Sequence, residues 1–100
     1  MRFEKLEQNI IDMIKEEQAK LGYRKESIRL YYPLSSLVHL TGENLGEQEM
    51  LALLSEFGEE TKEHLGGVTV TAKKDRFCFL IPEEGVVYVK EHTSPNEFIH

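Results

Sequence analysis

Few residues in this chain of 100 have the type and spacing that chemistry requires. Glu60 and His64 stand four apart and on a continuous helix would share a face, as metal ligands often do. Zinc wants three or four protein ligands, and His39, His92 and His100 are scattered along the sequence. The pair therefore reads as a solvated face and no metal is expected. Cys78 sits between Phe77 and Phe79 in a strand-like run. A thiol becomes a nucleophile beside a base or a helix N-terminus, and the sequence offers neither, so Cys78 reads as a small packing residue. Ser35 and Ser36 lack the glycine frame of a nucleophile elbow and suit a helix start instead. There is no phosphate-cradling glycine loop, paired cysteine motif or dinucleotide fingerprint. No catalytic residue or cofactor is assigned, and the chain is not expected to be an enzyme.

Two groups of residues can do recognition chemistry. Lys73, Lys74 and Arg76 form a concentrated basic patch that can touch phosphate, although charges also simply solvate a turn, and Asp75 offsets one of them. Tyr23, Tyr31 and Tyr32 with Arg24, Lys25 and Arg29 form a basic-aromatic cluster suited to stacking bases or to a protein interface. Its plainer reading puts Tyr32 in the core, Tyr31 at a sheet edge and the charges in water. The candidate nucleic-acid or partner-binding residues are thus Arg24, Lys25, Arg29, Tyr31, Lys73, Lys74 and Arg76.

Composition bounds what can hold these residues. The length suits one domain, and a 40% apolar, 30% charged composition is globular. A single cysteine rules out an intramolecular disulfide and fits a reducing compartment. The first residues, Met1 to Gln8, lack the apolar run of a secretory signal, and no stretch approaches the ~20 apolar residues of a membrane span. The expected location is the cytoplasm. The formal charge is −6. Residues 43–65 carry seven Glu against Lys62, so the whole excess lies there.

The elements follow from periodicity. Phe3, Leu6, Ile10, Ile14 and Leu21 predict a helix over 3–21, closed by Gly22. Residues 27–32 alternate as a short edge strand stopped by Pro33. Residues 34–41 predict a two-turn helix. A second long helix is expected over 45–64, with Asn44 and Glu47 as cap and N3 residues and Gly58 as a place to bend or divide it. Strands over 68–72 and 76–81 flank a polar turn and form a hairpin. Residues 82–92 stay open between helix, from Pro82-Glu83-Glu84, and strand, from Val86-Val87-Tyr88-Val89. The expected organisation is one domain over 1–92 and a tail over 93–100.

This order of helix, strand, short helix, longer helix and hairpin resembles a winged helix-turn-helix. The matching residues are the strand Ile28 to Tyr32, the helix Leu34 to Leu40, the turn Thr41 to Asn44, the helix from Leu45 and the hairpin Val68 to Ile81. The resemblance implies an α+β fold with three helices, a small antiparallel sheet and a β-hairpin wing. The chain also resembles small uncharacterised bacterial proteins of unknown function. In winged-helix DNA-binding proteins the second helix of the turn enters the major groove. Here that helix is the acidic segment, and its glutamates would repel phosphates. The expected function is accordingly a protein-interaction or assembly module, with a protein partner or homodimer favoured. The alternative is a DNA-binding regulator that uses the wing. No small-molecule ligand is indicated, since a binding pocket would have to be seen in three dimensions.

Overall fold

The computed structural model describes residues 3–92, and the expected tail over 93–100 lies outside the described residues. The elements are α1 (Glu4–Leu21), β1 (Ile28–Tyr32), α2 (Leu34–Thr41), α3 (Glu47–Glu60), α4 (Lys62–Leu65), β2 (Thr69–Ala72), β3 (Phe77–Ile81) and α5 (Glu83–His92). The class is α+β. Among the described residues it holds five helices and a three-stranded antiparallel sheet of order β1-β3-β2.

Two departures raise the helix number from the expected three to five. The first is at Thr61. The expected helix over 45–64 starts later, at Glu47, with Gly46 and not Asn44 as its N-cap, and Thr61 divides it. The Thr61 hydroxyl donates to the Phe57 carbonyl at 2.7 Å while its backbone leaves helical geometry at φ −101°, ψ 10°. A hydroxyl that bonds back to the preceding turn offers the backbone an alternative to the helix ladder. Gly58 stays inside α3. The second departure is α5, which resolves the open segment as helix. The Pro82 carbonyl accepts the amides of Gly85 and Val86 at 3.0 and 3.2 Å, opening the first turn.

In α1, Leu6, Ile10 and Ile14 are buried as expected, but the next rung of this four-residue ladder is Gln18, not Leu21. Leu21 is 67% exposed. The sheet buries one face. Leu30 pairs with Phe79 and Phe79 with Val70, and Tyr32 pairs with Phe77 and Phe77 with Ala72, so these residues share a face by the period of two. Four rings run through the core edge to face. Phe3 meets Phe57 at 5.4 Å between centroids, Phe57 meets Phe79 at 6.3 Å, and Phe79 meets Tyr32 at 5.1 Å. Each such pair adds about 0.5–1.5 kcal/mol beyond its area burial. The Tyr32 hydroxyl donates to Asn9 Oδ1 at 2.6 Å, tying β1 to α1.

Two glycines allow backbones to touch. A Cβ on Gly58 would lie 2.6 Å from the Val68 carbonyl oxygen, and one on Gly85 would collide with the Leu65 carbonyl oxygen and lie 2.9 Å from Ile81 Cγ2. Alanine at an ordinary helical position gains up to about 1 kcal/mol over glycine. At position 85 the clash is with backbone, and overpacking of about 1–3 kcal/mol outweighs that gain. Gly85→Ala is therefore expected to lower the chemical-denaturation midpoint, and a raised midpoint would show that α5 does not pack this closely.

Burial pushes the Tyr32 phenol up to about 12. The unfolded value is about 10, so the folded state holds the neutral phenol over a range where the unfolded chain ionises it. The resulting stability is whole below pH 10 and is lost between about pH 10 and 12. Tyr32→Phe is expected to flatten stability across that window, measured by denaturation at stepped alkaline pH.

Candidate interaction surface

The second face of the sheet is built by the remaining register rows. Arg29 pairs with Leu80 and Leu80 with Thr69, while Tyr31 pairs with Cys78 and Cys78 with Thr71. Of the buried β3 side chains, Cys78 alone stays outside the core cluster, which places it under this outer face and not in the core. Tyr31 is 53% exposed beside it. Adjacent strands lie about 4.8 Å apart and alternate residues about 7 Å apart along a strand, so Arg29 and Tyr31 flank one small aromatic and aliphatic patch.

The hairpin extends this patch. The Lys73 amide donates to the Arg76 carbonyl at 2.7 Å, closing the turn, and Lys73, Lys74 and Arg76 are exposed. Arg76 bonds Asp75 through Nε at 3.1 Å and Nη2 at 3.5 Å. The hydrogen bond to Asp75 raises the Arg76 guanidinium above its ordinary value and lowers the Asp75 carboxyl below its own. Tyr31, Pro33, Asp75 and Arg76 line one shallow depression. Arg29, Lys73 and Lys74 make no ion pair among the described residues.

The other two candidates lie elsewhere. Arg24 lines a cleft at the end of α1, and Lys25 Nζ stands 3.8 Å from Glu83 Oε1 at the start of α5. β1 alone covers about 13 Å between its first and last residues at about 3.4 Å each, so both cations sit at the far end of the sheet from the hairpin. The tyrosines divide as well. Lys90 Nζ lies 5.7 Å above the Tyr23 ring, and Tyr32 is in the core. The structure thus sets Tyr31 beside Arg76, with Lys73 and Lys74 on the same hairpin and Arg29 at the other side of Tyr31, about 14 Å along the sheet from Arg76, and leaves Arg24 and Lys25 apart.

Sequence reasoning missed an aromatic stack across α4 and α5. Tyr88 lies between His64, at 4.9 Å and 15°, and His92, at 4.1 Å and 18°. His64 Nδ1 meets Glu7 Oε2 of α1 at 3.2 Å, and His92 Nδ1 donates to the Tyr88 carbonyl at 3.0 Å. The Glu7–His64 pair spans 57 residues, which no local spacing could signal. No group of three or more His, Cys, Asp or Glu among the described residues can hold a metal ion. Also unsignalled was the burial of Gln18, whose Oε1 finds no hydrogen-bond donor among the described residues. Such an acceptor costs about 1–3 kcal/mol.

No helix among the described residues is long and apolar enough to cross a membrane. No curated protein and no solved structure matches the chain. Residues 3–100 match the model of DUF3877, a domain of unknown function with an E. rectale gene description, and the chain belongs to this family.

Proposed function

We propose that the chain is a non-catalytic, cytoplasmic assembly module on a winged-helix-like scaffold, and that the outer sheet face takes the acidic helix α3 of a second copy. The sheet order β1-β3-β2, with the β2–β3 hairpin in the place of a wing, supports the scaffold. The observation that carries the contact is charge separation across one molecule. Arg29 and Arg76 flank the exposed Tyr31, with Lys73 and Lys74 further out on the hairpin, while Glu47, Glu49, Glu56, Glu59 and Glu60 are all exposed on α3. Tyr and Arg are the residue types that anchor interfaces, and complementary patches raise association rate and fix orientation.

Size sets the strength. A three-stranded face five residues long offers roughly 250 Å², against about 800 Å² per partner in a standard interface. A two-fold exchange, in which each copy gives both its sheet face and its helix, roughly doubles that area. Association is therefore weak and concentration-dependent, and salt weakens it further.

A second reading, DNA contact through the wing, is favoured by one observation. Lys73, Lys74 and Arg76 sit together at the hairpin tip. Three phosphate contacts give a log–log salt slope of about −2.7, or about a 40-fold loss of affinity between 50 and 200 mM salt.

Light-scattering mass at high protein concentration, with and without mixed duplex DNA at low and moderate salt, separates the two. The assembly reading expects a dimeric mass at low salt that falls with added salt and is lost in Tyr31→Ala and Arg29→Glu variants. A monomeric mass at every concentration overturns it. A DNA-dependent mass that fades with salt and with Lys73→Ala, Lys74→Ala and Arg76→Ala establishes the second reading instead.

A further inference from the structure

We infer that the free edge of β1 is a docking site for β1 of a second copy, the two strands pairing antiparallel about a two-fold axis at Leu30. The inference rests on the assembly reading for its partner, a second copy. It differs in the surface used, which is the strand edge and not the outer face and α3.

The sheet order puts β1 at one edge and β2 at the other. α3 packs against β2. β1 pairs with β3 from Ile28 to Tyr32, and among the described residues its backbone makes no hydrogen bond on the opposite edge. Such an edge presents a row of unpaired N–H and C=O groups, which is a template for another strand. Edges are commonly blunted by several charges, a proline or a bulge. β1 carries one charge, Arg29, and Pro33 falls outside the strand.

The helix beside this edge is apolar where a partner meets it. Asn9 of α1 accepts the Tyr32 hydroxyl, and Glu17 and Leu21 line one cleft with Ile28. Asn9, Met13, Glu17 and Leu21 recur every four residues and form one stripe of α1. That stripe runs along β1, because its two ends meet the two ends of the strand. From Asn9 to Glu17 the helix rises about 12 Å, and β1 covers about 13 Å from Tyr32 to Ile28. Met13 therefore stands level with Leu30. Met13 is 37% exposed, Leu21 67% and Tyr31 53%. Of the four exposed large hydrophobics among the described residues, these three border the β1 edge.

The strand is complementary to itself in one register. Centred on Leu30, Ile28 faces Tyr32 of the second copy and Leu30 faces Leu30, all on the core side. On the outer side Arg29 faces Tyr31, twice, and a guanidinium over a tyrosine ring is a favourable pair. Met13 meets its own counterpart near the axis. Other registers are worse. A shift by two residues in one direction sets Arg29 against Arg29, and like charges directly opposite are destabilising. The same shift the other way opposes Arg29 to Pro33, which has no amide to give. A shift by one sends the core-side residues to the outer face.

An edge about 17 Å long and 10 Å deep, with the exposed parts of Met13, Leu21 and Tyr31, buries roughly 450 Å² per partner. A standard interface buries about 800 Å² per partner, so the pairing is concentration-dependent. Main-chain hydrogen bonds supply its affinity and the facing side chains its register.

The test is cross-linking between two variants, Arg29→Cys and Tyr31→Cys, both at exposed positions. Each is oxidised at high concentration alone and in an equal mixture, and the bonds are located by mass spectrometry. In the proposed register these positions face each other with Cβ atoms about 4.5–5.5 Å apart, while like positions lie on the diagonal at about 7–8 Å, beyond a disulfide's reach. The mixture is expected to give about tenfold more 29–31 disulfide than either protein gives of its own, with little change between about 50 and 500 mM salt. Met13→Glu in both proteins sets like charges near the axis and is expected to cut that yield severalfold. A mixture no better than the separate proteins, or no disulfide at all, overturns the edge pairing. A dimeric wild-type mass that is lost in Glu49→Lys with Glu59→Lys, without 29–31 disulfide, overturns the edge and leaves the face assembly standing. A 29–31 disulfide together with a dimeric mass that this α3 variant keeps establishes the edge and overturns the face contact.

Discussion

Two backbones meet without a side chain between them where the first turn of α5 passes the end of α4, and much of the molecule depends on that meeting. Gly85 lies so close to the Leu65 carbonyl that no Cβ fits. Gly66, in the left-handed region at φ +77°, turns the chain beside Pro82 and Glu84 of the same junction. The close passage lets α5 pack against both α4 and α1. Val86 and Val89 then enter the core, Tyr88 lies between two histidines, and the Val86 carbonyl comes within reach of Gln18. With only Pro82 between β3 and α5, the sheet leads directly into the last helix at this glycine contact.

That junction also explains what was and was not legible in the sequence. α1, β1, α2 and the hairpin carry strong periodicity or turn signals, and the structure places them within a residue or two of expectation. The segment 82–92 did not decide itself, because Val86 to Val89 favours a strand while Pro82-Glu83-Glu84 favours a helix. A contact made by Gly85 with a residue twenty positions earlier settled it, and local propensity carries no record of such a contact. The expected cap at Asn44 failed for a related reason. Asn and Gly are both good caps, and the helix starts where Met50 can reach the core, which puts Gly46 at the cap. Of the seven candidate site residues, Tyr31 and Arg76 share one depression, a hairpin turn puts Lys73 and Lys74 beside Arg76, and the period of two puts Arg29 on the other side of Tyr31. Arg24 and Lys25 were grouped with Arg29 by closeness in sequence, yet a strand carries neighbours apart faster than any other element.

The charge pattern follows the same division of faces. The acidic run over 43–65 is concentrated on α3 and α4, while Lys73 and Lys74, which make no ion pair among the described residues, stand at the hairpin beside the Asp75-paired Arg76. The carboxylates of α3 repel phosphate. A groove-reading helix works the other way, concentrating cations where the bases are. The fold order therefore constrains the scaffold, and the placement of charge constrains its use.

Gln18 shows how a polar residue can be informative inside an apolar pattern. The ladder of Leu6, Ile10 and Ile14 would be extended most cheaply by another aliphatic side chain, since replacing a half-satisfied amide by an apolar group of similar shape is often neutral or stabilising. One amide bond, at 3.4 Å to Val86, is a long and weak return for burying this group. Structural need alone thus accounts poorly for a glutamine there. What the glutamine does supply is a tie between α1 and α5 through the Val86 carbonyl, 68 residues away, which an aliphatic side chain at that rung could not make.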